Sequence, residues 1–104
     1  MNNVTRAHID FETASAADLR KTGVYPYAEH PSTRVWGFAW CLGDGPIYKW
    51  QPEGLFPDPT PLLSHIEGGG IVVAHNAAFE RTVWNKVIRR LYPHWPELKI
   101  EQQR

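Results

Sequence analysis

The chain has 104 residues, 42% of them hydrophobic and 12% aromatic, and its 11 basic and 11 acidic side chains cancel to zero net charge. That length suits one domain with a modest core, and neutrality excludes a global basic field as the basis of nucleic-acid binding, leaving only a local patch. A single cysteine, Cys41, excludes an internal disulfide framework. The absence of any apolar segment of spanning or signal type predicts a cytoplasmic chain away from membranes.

In chain order, Val4 to Phe11 predicts a first strand that ends at an acidic pair. Within HIDFETAS, Ile9 and Phe11 fall on one face and Asp10 and Glu12 on the other, because side chains alternate along a strand. The two carboxylates then stand roughly 7 Å apart and repel unless a cation or solvent intervenes. Ala14 to Arg20 predicts a helical turn, and KTGVYPYAEHPST, with its prolines and glycine, a loop. VWGFAWCL from Val35, a turn at Asp44 to Pro46, and Ile47 to Trp50 predict an antiparallel hairpin.

The connection QPEGLFPDP is too short to divide two cores, so residues 1–104 form one domain. Thr60 before Pro61 predicts an N-cap and first helical position for a short helix that stops at Gly68 to Gly70. Ile71 to Ala74 predicts a buried strand, and Asn76 caps a last helix running to about Tyr92. The resulting β-β-β-α-β-α order is an α/β fold with a mixed sheet and helices packed on it.

The last helix carries the more informative anomaly. Phe79, Val83, Trp84, Val87, Ile88 and Leu91 make one apolar stripe, with Arg81, Asn85 and Arg89 opposite. Glu80 falls near the centre of the stripe, where a carboxylate is costly unless paired or bound to metal. It follows directly on the Ile71 strand, and open α/β sheets place ligands at such strand ends. If the first strand is a parallel neighbour, Asp10, Glu12 and Glu80 converge. Three carboxylates suit a hard cation, Mg²⁺ or Mn²⁺, and the histidines show no zinc-type spacing.

HIDFET resembles the first motif (D-x-E) of the DEDD 3′–5′ exonucleases, which have an RNase H-like fold. AHNAAFER, Ala74 to Arg81, resembles their second motif, N-x-x-F followed by an acid. The run from Asp10 to Trp40 is similar to the proofreading domain of phage-type family A DNA polymerases. The resemblance implies two-metal hydrolysis of 3′-terminal phosphodiesters, with Asp10 as bridging ligand and Glu12 and Glu80 helping to hold the ions and the attacking water. It places Thr13, Asn76 and Phe79 near the terminal nucleotide. The implied partners are the 3′ end of single-stranded or frayed DNA and the remainder of a polymerase chain, in a phage-infected or bacterial cytoplasm.

The family mostly has aspartate where this chain has Glu80, and the extra methylene leaves ligation possible. Its third motif, which carries a fourth carboxylate and a general base, has no match among residues 81–104. The chain is therefore expected to be an N-terminal portion of an exonuclease domain, inactive or nearly so alone. The alternatives are a non-catalytic nucleic-acid-binding or polymerase-interaction remnant of the same fold, and a shortened RNA-directed nuclease. Arg20, Lys21, Tyr25, Tyr27 and Arg34 could steer a single strand, or the tyrosines could simply pack their loop. Arg81, Lys86, Arg89 and Arg90 predict a solvated basic face, His75 a strand-end histidine, and the five tryptophans a place in the core.

Overall fold

A computed structural model describes residues 5–14, 34–52 and 57–104 of the chain. The predicted helical turn after Ala14, the tyrosine loop and its basic residues Arg20 and Lys21 lie outside the described residues, as do the side chains of Thr13 and Arg34.

The elements are strands β1 (Arg6–Ala14), β2 (Arg34–Leu42) and β3 (Tyr48–Trp50), helix α1 (Thr60–Glu67), strand β4 (Ile71–Val73) and helix α2 (Ala77–Val83). Helix α2 continues through a π-helical turn, Trp84–Ile88, into α3 (Arg89–Leu91), and a 3₁₀ turn, Ile100–Gln102, follows. One four-stranded sheet has the order β3-β2-β1-β4. The first strand is central, antiparallel to β2 and parallel to β4, as the shared core of hairpin and helices requires. It also runs through the acidic pair rather than ending there, because β2 pairs with it as far as Ala14.

Alternation along β1 holds as expected. Ala7, Ile9 and Phe11 are buried, while His8, Asp10 and Glu12 are exposed. Cross-strand rows continue the pattern: Ile9–Trp40–Tyr48 and Phe11–Phe38–Trp50 on the core face, Asp10–Ala39–Lys49 and Glu12–Gly37 on the other. The core is a run of ring contacts. Phe38 meets Phe11 and Trp50 at 5.0 Å each and Trp84 at 5.9 Å, and Trp95 meets Trp50 at 5.2 Å and Trp84 at 5.5 Å. Tilted and edge-on geometries at these separations suit the ring quadrupoles. The Trp84 indole N–H donates to the Pro96 carbonyl at 2.8 Å, so burying this ring strands no polar group.

Three expectations about the helices need correction. Helix α1 takes Pro59 as its N-cap with no side-chain cap, so Thr60 is already its first residue. Its end behaves as predicted: Gly69, at φ 82°, lets the Gly69 and Gly70 amides reach the Ile66 and His65 carbonyls. Second, Leu91 is 53% exposed. The π turn adds a residue to one turn of helix and rotates everything beyond it off the stripe.

Third, the helix face carrying Arg81, Asn85 and Arg89 is not simply solvated. Asn85 exchanges two hydrogen bonds with the Leu98 backbone, Arg89 donates to the Trp95 carbonyl at 3.0 Å, and Arg81 donates to Gln103. These bonds dock the last residues along β4, where the Arg104 amide donates to the Val72 carbonyl at 2.9 Å. Gln102 is buried there with its amide nitrogen on the Ile66 and Gly70 carbonyls, 2.9 Å each.

Trp84 is 0% exposed where strands, helix and C-terminal segment meet. Trp84→Ala is therefore expected to lower unfolding free energy by about 3–5 kcal/mol. Urea denaturation checks this, and a loss under 1 kcal/mol would place the core elsewhere.

Candidate functional site

The carboxylates Asp10 and Glu12 stand on the sheet face opposite the helices. Across from them on β2 are two of the smallest residues, Ala39 and Gly37, and beyond Ala39 on β3 is Lys49. An acidic ridge and a cationic wall thus flank a hollow of about 130 Å³ whose lining includes Asp10, Glu12, Trp36, Ala39, Lys49 and Gln51. A second hollow of about 230 Å³, with His8, Cys41 and Ile47 on its walls, adjoins it and also includes Asp10 and Ala39. Asp10 therefore lies between the two. Only glycine fits at 37, because a Cβ there would sit 2.5 Å from the Trp50 carbonyl oxygen and 3.0 Å from the Gln51 side chain, which closes this end of the hollow. A larger hollow of about 780 Å³, between the hairpin and the start of α1, contains none of the three predicted carboxylates.

Glu80 comes to the same strand from its edge. Strand β4 pairs only with Arg6, Ala7 and His8 of β1. Beyond His8 that edge has no strand partner among the described residues, and the Phe11 amide donates to Glu80 Oε2 at 3.2 Å. Helix α2 can present Glu80 there because it starts immediately after β4. Asn76 caps it as predicted, Oδ1 accepting from the Phe79 amide at 3.3 Å.

The Glu80 side chain is buried, 5% exposed, so it does not reach past the helix end into solvent. Its pKa is raised from 4.5 to about 7. Desolvation is the largest cause, the Phe11 hydrogen bond pulls it partly back, and the negative charge of Asp10 pushes it up further.

The structure thus brings Glu80 beside Asp10, with Glu12 on the same face as Asp10. Among the described residues no group of three or more His, Cys, Asp and Glu side chains is arranged to hold a metal ion. Phe79 is half-buried against the core and His75 is exposed at the end of β4. Thr13 pairs with Val35 just past a register shift.

Two residues of the hollow were missed in the sequence. Lys49 was unremarkable until the register placed it in the Asp10 row. Trp36 is expected in the core with the other tryptophans, yet it is 64% exposed while Trp40, Trp50, Trp84 and Trp95 are buried.

A DNA polymerase of Bacillus phage SP02 is 36% identical to this chain over 75 residues. The match covers 71% of this chain and 12% of that protein, so the chain spans a small fraction of its relative. The similarity relates this chain to a phage DNA polymerase. No family profile and no solved structure matches it. No helix among the described residues is long and apolar enough to cross a membrane.

The raised Glu80 pKa makes stability depend on pH. The unfolded carboxyl loses its proton near 4.5 and the folded one near 7. Between those values the folded state holds the extra proton, so the contribution is fully present below 4.5 and is lost as pH rises through about 7. Glu80→Gln keeps an acceptor for the Phe11 amide and removes the charge. It should therefore be more stable than wild type at pH 8, by roughly 1–3 kcal/mol after allowing for solvent screening. That advantage should shrink as pH falls toward 4.5. Urea titrations of both proteins across this range test it, and a constant difference would contradict the shift.

Proposed function

We propose that this chain is part of a metal-dependent 3′–5′ exonuclease module, RNase H-like and of the DEDD type, belonging to a phage-type DNA polymerase. One observation carries the reading: the Glu80 carboxylate, from the second motif, lies against the β1 backbone one residue from Asp10 of the first. The element order, the central β1 and the parallel β4 support it, and the similarity to the SP02 DNA polymerase supplies the polymerase setting.

Asp10, Glu12 and Glu80 offer oxygen donors only, the donor type a hard cation takes, although in the chain alone the three are not drawn together as a metal-holding group. Mg²⁺ or Mn²⁺ held there, two ions in a complete domain, would activate a water and stabilise the leaving 3′ oxygen. Asp10, between the two hollows, would be the shared ligand, with Glu12 beside it. Glu80 would add an oxygen donor from the strand edge, its carboxylate held ionised by a bound divalent cation. Thr13, Asn76 and Phe79 would flank the terminal nucleotide of a single-stranded or frayed DNA 3′ end, Asn76 and Phe79 being held in place by the helix cap and the core.

The engagement of Glu80 with the Phe11 amide favours a second reading, a non-catalytic nucleic-acid-binding remnant in which Glu80 only ties the helix to the strand. Calorimetry with Mn²⁺ separates the two. The nuclease reading expects weak binding that falls at least about tenfold in Asp10→Asn and in Glu12→Ala, since each removes a charged oxygen donor. Identical binding by all three proteins would reject the metal site and leave the remnant.

A further inference from the structure

One large aromatic on the carboxylate face has no role in this account. The pairing of β1 with β2 runs Glu12 to Gly37 and then Thr13 to Val35, so Trp36 is an extra residue in β2, a β-bulge. In a regular strand Trp36 would share a face with Phe38 and Trp40, both buried in the core. The bulge moves Val35 onto the core face, where it is 5% exposed, and turns Trp36 out, 64% exposed, at the hollow that holds Asp10, Glu12 and Lys49. A one-residue shift that exchanges a valine for a tryptophan in the core gives up apolar burial. Bulges that re-aim a side chain are over-represented beside active sites.

We propose that Trp36 is a stacking platform for a nucleobase of single-stranded DNA, with Lys49 taking a neighbouring phosphate. The strand is thereby laid across Ala39 toward Asp10 and Glu12. This inference rests on the nuclease reading of the same site and adds how the strand is held. An indole face accepts any base, which suits a substrate read without regard to sequence. The charges fix the direction of the strand across the hollow. Without a bound cation Asp10 and Glu12 repel phosphates on the β1 side, whereas the Lys49 ammonium on β3 attracts them. The small Ala39 side chain keeps the middle of the hollow low, while the Gln51 side chain covers the Gly37 end. An apolar protein segment is a poorer occupant, because the hollow that Trp36 faces carries two carboxylates, an ammonium and the Gln51 amide.

The test is fluorescence anisotropy of a 5′-labelled oligothymidylate titrated with the full chain, in EDTA and at low salt so that binding is read without cleavage. Trp36→Ala is expected to weaken binding roughly 5- to 150-fold, the range for losing one base–aromatic stack, and Trp36→Phe to recover most of it. Lys49→Gln should flatten the salt dependence. An oligonucleotide made abasic along its last several 3′ nucleotides should bind the wild-type chain more weakly and be indifferent to Trp36→Ala, the first comparison not depending on how the variant folds. Equal affinity of wild type and Trp36→Ala, with no penalty for the abasic end, would overturn the stacking role even where Asp10-dependent Mn²⁺ binding stands. Loss of that Mn²⁺ dependence with Trp36-dependent DNA binding intact would instead reject the nuclease reading and leave a DNA-binding surface.

Discussion

A central strand that is paired along one edge for its whole length, and along the other for three residues only, must find another partner for its next free amide. That constraint shapes this protein. The first strand pairs with β2 as far as Ala14, but β4 leaves it after His8. An amide with no acceptor in a buried place costs about 1–3 kcal/mol. Here the Glu80 carboxylate supplies the acceptor, and it is delivered by the helix that begins where β4 ends.

The same contact brings a charge into the apolar side of the fold. Burial and the nearby Asp10 both disfavour ionisation of Glu80, and the single amide bond only partly compensates. The result is a carboxyl that titrates near neutrality beside one that faces solvent on the sheet. Asp10 and Glu12 remain on the open face, across Ala39 from Lys49. One strand therefore presents acidic groups at its face and receives another at its edge.

Much of this was legible in the sequence because it depends on period. Alternation alone put Ile9 and Phe11 inward and Asp10 and Glu12 outward, and a helical wheel put Glu80 on the buried side. Asn76 announced itself as a cap. What stayed hidden were departures from period. The bulge at Trp36 reverses the facing of a tryptophan through one unpaired residue, and nothing in VWGFAW marks it. The π turn at Trp84–Ile88 likewise swings Leu91 into solvent. Lys49 entered the site only through register, which pairs residues far apart in the chain. The anchoring of the C-terminal residues by Arg81, Asn85 and Arg89 was masked by composition, since a run of polar side chains on a helix reads as a solvated face.

The central claim is that a buried Glu80 lies against β1 within the electrostatic reach of Asp10. Carbon-13 NMR titration of the Glu80 side-chain carboxyl tests it most directly, in the wild-type chain and in Asp10→Asn. The account predicts a midpoint of about 7 in the wild type. In Asp10→Asn it should be lower but still above the ordinary value of 4.5, because desolvation is the larger cause. A Glu80 that titrates near 4.5 in both proteins would contradict the account, since the carboxylate would then be in solvent and the two motifs would not meet.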